Sequence, residues 1–264
     1  MTTVLELEFM RRALLAAFLV GLTAPAIGTF LVQRRLALMG DGIGHVALTG
    51  VGLGLFLGTA PLLTAILVSV AGAVAIELLR ERASGDVALA LLFYGGIAGG
   101  VVLTNKSPQG TAFNLVSYLF GSVTTASGGD LWVIAALAVL VLGIVAVFGR
   151  EMFSVSYDEE VARVSGLPVR ALNLLVAVTA ALTVALAMRV VGLLLVSALM
   201  VVPVAAVQQV ARSFRATLLG SLAVGVAVSV GGLLIAYYAD VAPGAAIVLT
   251  AIGVFALTSL VARR

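Results

Sequence analysis

Long apolar runs separated by short polar segments make up most of this chain. A helix needs about 20 apolar residues to cross a bilayer core. Nine such runs lie near residues 13–32, 41–58, 61–79, 87–104, 131–149, 171–187, 190–209, 216–238 and 244–261. Residues 1–12 mix charged and apolar positions, and we expect a short amphipathic segment at the membrane interface. The pattern predicts an all-α polytopic membrane protein with about 8–9 transmembrane helices, and residues 1–264 are expected to form one transmembrane domain.

Composition supports a membrane protein and excludes several other classes. Hydrophobic residues are 62% of the chain and charged residues 10%, whereas a soluble domain carries about 25% charged residues. Mean hydropathy is +1.23. The net charge of +3 comes from short basic clusters between apolar runs, so we expect membrane lipid and no nucleic acid as a partner. The chain has no cysteine, which excludes disulfides and thiolate metal sites. The N-terminal residues are interpreted as mature sequence, not a cleaved signal peptide.

Two polar segments interrupt the apolar runs. Residues 105–130 contain one apolar stretch, 112–120, which is too short to cross and is predicted to be an extramembrane or re-entrant helix. Residues 150–170 form the longest charge-mixed segment. There Ser156 is a candidate N-cap, and the acids Asp158, Glu159 and Glu160 favour a first helical turn. Gly166 and Pro168 are expected to end this short helix. It is either a solvated loop helix or a docking element for a partner.

The arginines predict the orientation of the chain. If residues 149–170 are cytoplasmic and nine spans alternate, eleven of the fifteen basic residues lie inside, as the positive-inside rule requires. These are Arg34, Arg35, Arg80, Arg82, Arg150, Arg163, Arg170, Arg212, Arg215, Arg263 and Arg264. The N-terminus then lies outside, where Arg11 and Arg12 fit poorly. Eight spans with a rearranged first half are therefore the alternative.

Asp41 and His45 are the candidate metal ligands. They are four residues apart, and His45 is the only histidine in the chain, so a helix places both side chains on one face. A carboxylate oxygen and an imidazole nitrogen suit a divalent cation such as zinc or manganese. A continuous helix from Arg34 would place Asp41 ~10 Å past the cytoplasmic interface and His45 ~6 Å deeper. Ionisable residues at such depth cost ~2.5–3.5 kcal/mol and indicate function. In a soluble protein the same pair would usually be a surface pair.

Two further features bear on mechanism. Pro203 lies inside the predicted span 190–209, where it removes one backbone hydrogen bond and is a candidate hinge, or only a structural kink. The chain contains no GxxxxGK[ST] phosphate-binding motif. ATP hydrolysis, if it drives this protein, must therefore come from another chain, and the chain itself is not expected to be an enzyme.

Five segments, in order, resemble one family of membrane proteins. They are RRLALMGDGIGHVALTGVGLG (34–54), LVSYLFGSV (115–123), SYDEEVARVSGLPVR (156–170), VVGLLLVSALMVVPVAA (190–206) and AYYADVAPGAAIVL (236–249). Together they resemble the membrane permease subunits of the zinc and manganese ABC importers, nearly end to end. The first and third segments are the more specific.

The resemblance implies an alternating-access pore formed by two permease subunits in the plasma membrane of a prokaryote. Asp41 and His45 would bind the transported cation, within a metal-path helix expected at about 34–58. The segment from Tyr157 to Pro168, with Asp158, Glu159, Glu160, Arg163 and Gly166, resembles the coupling helix that docks on a cytoplasmic ATP-binding cassette subunit. An extracytoplasmic metal-binding protein would deliver the cation. No permanently bound cofactor is implied.

Three other functions stay open at this point. An importer of the same architecture for a metal chelate, such as a siderophore or cobalamin, predicts a wide polar cavity and needs no Asp/His pair. A proton-coupled secondary transporter or channel predicts transport without an ATPase, with Asp41 and His45 as a relay. A purely structural membrane subunit leaves the deep acid unexplained. The residue types do not separate zinc from manganese or iron.

Overall fold

The computed structural model describes residues 8–80, 85–107, 118–119, 121, 128–188, 191–193 and 195–262. Within these ranges the regular elements are α-helices. They are α1 (Glu8–Gln33), α2 (Met39–Leu57), α3 (Pro61–Arg80), α4 (Gly85–Lys106), α5 (Gly128–Tyr157), α6 (Glu159–Val164), α7 (Val169–Ala187), α8 (Val196–Gln208), α9 (Phe214–Ala239) and α10 (Pro243–Ala262). The predicted all-α class is confirmed.

Eight helices in the described part of the chain are long and apolar enough to cross a membrane. The predicted span 190–209 is wrong in its extent, because α8, 13 residues long, is the helix that the described residues of this stretch form. At 1.5 Å per residue α8 is ~20 Å long, shorter than the ~30 Å bilayer core. Gly192 has a left-handed φ of 89°, which interrupts the helical path between α7 and α8.

Helix α1 begins earlier than the apolar pattern indicates. Residues 8–12 continue the helix, so the prediction of a separate interfacial segment is wrong for this part. Arg12 pairs with Glu8 one turn away, and such a pair lets charged residues extend a helix. At the other end, Arg35 has a φ of 59°, and the N–H of Leu36 donates to the carbonyl of Leu31 at 2.8 Å. These features end α1 before α2 begins.

The short helix α6 differs from its prediction at the start. Helix α5 runs on through Tyr157, so Ser156 lies inside it and is not the N-cap. Asp158 takes that position, and its Oδ1 accepts hydrogen bonds from the N–H groups of Glu160 and Val161, both at 3.0 Å. The apolar run of α5 continues as a helix beyond Ser156, the predicted N-cap. Gly166, with a φ of 81°, follows the end of α6 as predicted.

The core surrounds α1, α2 and α7, which are the most buried of the spanning helices. Helix α2 packs mainly on α3 and α4 and also meets α7 and α8, while α1 packs on α9, α5 and α8. The side chains of Ile27, Ile43, Leu186, Leu199 and Met200 are fully buried among them. Helix α2 is therefore held inside the bundle. The predicted short helix at 112–120 lies outside the described residues, except for positions 118 and 119.

Candidate metal site

Asp41 and His45 lie one turn apart at the start of α2. Helix α2 begins at Met39, and residues 34–38 form turns. The depths expected for Asp41 and His45 assumed a continuous helix from Arg34, and this assumption is wrong. The left-handed Arg35 and the hydrogen bonds that close α1 prevent such a helix. The carboxylate of Asp41 therefore lies in a first helical turn, where the helix dipole favours negative charge.

Asp41 faces a cavity and a second helix. The cavity, about 280 Å³, is also lined by α4 residues Leu89, Ala90, Phe93 and Tyr94 and by Leu38. The hydroxyl of Ser197, in the first turn of α8, donates a hydrogen bond to Oδ1 of Asp41. The carboxylate is thus held on one side and accessible from the other.

His45 has different surroundings from Asp41. Its side chain is buried, with 8% of the residue exposed. The ring of Phe93 packs edge-on against it, with centroids 4.1 Å apart and planes at 67°. Within the part of the chain that the structure describes, the buried Nδ1 atom has no hydrogen-bond partner. An unsatisfied buried nitrogen is costly unless something binds it. Phe93 therefore lies against His45 and also lines the cavity that contains Asp41.

Glycines on α4 allow the close approach that places Phe93 on His45. A Cβ added to Gly96 would lie 2.5 Å from the backbone carbonyl carbon of His45. The hydroxyl of Thr49 donates to the carbonyl of Gly96 at 2.7 Å. Small residues and such inter-helix hydrogen bonds are how membrane helices associate closely. The position of the aromatic ring follows from this contact between α2 and α4.

The donor set at the site is small. No group of three or more histidine, cysteine or acidic side chains converges within the residues that the structure describes. Asp41 supplies carboxylate oxygen and His45 supplies imidazole nitrogen, which are ligand types for zinc, manganese or iron. The pair therefore offers one oxygen and one nitrogen donor that suit a divalent cation. The sequence reasoning did not identify Ser197. The apolar run 190–209 does not show which of its residues faces α2.

The predicted coupling residues surround α6. Arg34 Nη2 lies 3.9 Å from Glu159 Oε2, and Arg163 Nη2 lies 3.3 Å from Glu159 Oε1. Ala162 is buried in a small cluster with Val155, Val169 and Leu172. A cavity of about 910 Å³ opens beside α6, where Glu77, Glu159, Arg163, Pro168, Arg170 and Asn173 contribute to its lining. The helix is therefore attached to the bundle by one buried face and by the ion pair between Glu159 and Arg34, whereas the pair between Glu159 and Arg163 lies within α6.

Three exposed apolar residues lie on or just before α6. Val161 and Val164, the latter 90% exposed, belong to α6, and Tyr157 is the last residue of α5. Isolated exposed apolar residues are ordinary, but three so close together in the chain indicate a contact surface. Pro203, the hinge candidate, is buried inside α8, and α8 also carries Ser197.

These features define a multi-pass membrane transport protein. A family model described as the ABC 3 transport family matches residues 6–262, and the chain belongs to that family. The resemblance drawn from the five sequence segments is thereby confirmed. The family and the eight apolar helices place the protein in the plasma membrane of a prokaryote.

The chain is similar to proteins named for metal transport. It is 34% identical over 240 residues to a probable metal transport system membrane protein of Treponema pallidum, covering 91% of this chain and 90% of the relative. It is 33% identical to the manganese transport system membrane protein MntC of Halalkalibacterium halodurans, covering 96% and 87%. The solved structure of PsaBC from Streptococcus pneumoniae in complex with Fab matches with a TM-score of 0.88 and 30% identity, covering 97% and 92%.

Proposed function

We propose that this chain is the membrane permease subunit of an ABC importer that moves a divalent transition metal, zinc, manganese or iron, into the cytoplasm. It carries out no covalent chemistry and holds no permanent cofactor. The cation is its substrate, and hydrolysis of ATP occurs on a separate cytoplasmic subunit. An extracytoplasmic metal-binding protein delivers the cation.

The observation that carries this proposal is the Asp41/His45 pair. Both residues lie on one face of a helix held inside an apolar bundle, and a buried nitrogen of His45 has no hydrogen-bond partner among the residues that the structure describes. An acidic side chain at this place in the bundle and such an imidazole nitrogen would be costly unless a cation visits them. Two side chains give weak binding, which suits an ion that must leave again.

A second copy of the chain would complete the site and the pathway. We propose a homodimer with the pore between the two subunits, so that two Asp/His pairs are available to one cation. Four side-chain donors match the number that a tetrahedral zinc site uses. Pro203 is proposed as the hinge through which α8 changes its contact with α2, because the proline leaves one backbone carbonyl of α8 without its usual N–H donor.

The exposed apolar residues at the end of α5 and on α6 support docking of the ATPase. Tyr157, Val161 and Val164 offer apolar area close to the ion pair between Glu159 and Arg34. The acids Asp158, Glu159 and Glu160 add charge around these residues. An apolar patch with a polar rim is the usual arrangement of a protein interface.

Uptake by the complete transporter tests the cation site. We would measure Mn²⁺ and Zn²⁺ uptake into proteoliposomes with the ATPase and binding protein present, for wild type, Asp41→Asn and His45→Ala. Asp240→Asn is the matched control, since it makes the same change at an exposed residue that ends α9. We expect both site variants to lose uptake while the ATPase still copurifies, and the control to retain it.

The other outcomes distinguish the remaining functions. If both site variants transport like wild type, the Asp41/His45 site is wrong and uptake of a metal chelate becomes the next assay. If transport of the cation proceeds without the ATPase and follows a proton gradient, the protein is a secondary transporter and the ABC mechanism is refuted.

A further inference from the structure

Ser197 makes a contact that differs from those of many buried hydroxyls in this bundle. The hydroxyls of Ser69, Thr104 and Thr183 donate to the carbonyl four residues earlier in their own helices. Ser197 instead donates across 156 residues of sequence to Oδ1 of Asp41. The residue is buried, with 8% exposed. Its bond therefore connects two helices at the candidate cation ligand.

The break between α7 and α8 places Ser197 where it can reach Asp41. Residues 191–193 and 195 are not part of a helix, and α8 begins only at Val196. The N–H of Leu193 donates to the carbonyl of Tyr118 at 2.9 Å, which holds this segment to another part of the chain. A Cβ on Gly40 would lie only 3.2 Å from the Cβ of Ser197. The first turns of α2 and α8 are therefore in close contact at this point.

The hydrogen bond distinguishes the two oxygens of Asp41. The hydroxyl of Ser197 donates and Oδ1 accepts, which engages one lone pair of Oδ1. Among the described residues Oδ2 accepts no such bond, so it is the more open oxygen for a cation. Hydrogen bonds to a ligating carboxylate orient it, and their removal typically costs about 10–100-fold in metal affinity.

We infer that Ser197 is a positioning residue of the cation site, which holds Asp41 so that a divalent cation meets one fixed carboxylate oxygen. This inference rests on the proposed function of Asp41. It also gives α8 a direct connection to the site, since any movement of the first turn of α8 changes the hydrogen bond to the ligand.

Kinetics of Ser197 variants in the assembled transporter test the inference. The probe is Mn²⁺, and the half-saturating concentration and the maximal rate of uptake are measured separately. Ser197→Ala is expected to raise the half-saturating concentration by about 10–100-fold with a smaller effect on the maximal rate. Ser197→Thr keeps the hydroxyl and should restore a value near that of wild type. Ser229→Ala, which removes a buried hydroxyl that has no hydrogen-bond partner among the described residues, should change neither parameter.

Two results would overturn the inference, and they are separable from failure of the proposed function. If Ser197→Ala keeps the wild-type half-saturating concentration while Asp41→Asn abolishes uptake, the cation site stands and the positioning role is wrong. If Ser197→Ala lowers only the thermal-unfolding midpoint and the maximal rate, Ser197 is structural. If Asp41→Asn itself transports normally, the proposed function fails, and the role of Ser197 fails with it.

Discussion

The guanidinium of Arg34 lies 3.9 Å from the carboxylate of Glu159 and so joins the turn before α2 to the helix α6. The side chain of Arg34 is 6% exposed, so this ion pair is partly protected from water. Asp41 is seven residues further along the chain from Arg34. A displacement of α6 by a docked partner would therefore act on the start of the helix that carries the candidate cation ligands.

Breaking this ion pair is expected to uncouple transport from ATP hydrolysis. Arg34→Gln and Glu159→Gln should each lower cation uptake per ATP hydrolysed by about 2–5-fold, the factor that corresponds to the upper range for partly exposed ion pairs. The double variant should be no worse than Glu159→Gln alone, because that variant already loses the pair with Arg34 together with the pair with Arg163. Uptake and phosphate release are measured on the same proteoliposomes. Additive losses in the double variant would contradict the connection.

The exposed valines of α6, Val161 and Val164, are expected to bind the ATPase. Val164→Asp places a charge where a buried contact would form, and should weaken association of the ATPase by about tenfold to a hundredfold, since burial of a valine contributes about 1.5–3 kcal/mol. Val210→Asp is the control, because Val210 is also an exposed valine but lies between α8 and α9. Copurification at defined salt is the measurement. Equal loss in both variants would refute a specific role for α6.

Phe93 is expected to restrict access to His45. Because His45 is the only histidine of the chain, its modification by diethyl pyrocarbonate can be followed by mass spectrometry in tag-free protein. Phe93→Ala removes the ring that packs on His45 and should speed modification. Tyr94→Ala is the control, since Tyr94 lines the same cavity and its described ring contact is with Phe93. Equal rates in wild type and Phe93→Ala would show that the ring does not restrict access.

The contact between α2 and α4 is expected to tolerate no side chain at Gly96. Gly96→Ala would place a methyl group against the backbone of His45 and should destabilise the protein by about 1–3 kcal/mol through overpacking. Gly95→Ala is the matched control, because a Cβ there meets nothing within 4 Å. Thermal unfolding in detergent separates the two. A midpoint for Gly96→Ala equal to that of Gly95→Ala would show that α4 can shift without cost.

Much of the fold could be predicted from the apolar pattern alone. Runs of about 20 apolar residues leave few alternatives to spanning helices, because backbone polar groups must be satisfied internally in lipid. The prediction of spans was wrong where the backbone is not helical inside an apolar run. The run 190–209 reads as one span, yet the left-handed Gly192 and the late start of α8 at Val196 shorten it. The assumed continuous helix from Arg34 is also wrong, because residues 34–38 form turns and α2 begins only at Met39, so Asp41 lies in a first turn.

The sequence by itself determined the class of protein, the candidate pair Asp41/His45 and the place of the short helix α6, because hydropathy, residue spacing and capping residues are local properties. Only the tertiary structure decided that Ser197 holds Asp41, that Phe93 covers His45 and that Arg34 meets Glu159. These contacts join residues far apart in the chain. They depend on how the helices pack. The sequence of an apolar run does not show which of its faces contacts a neighbouring helix.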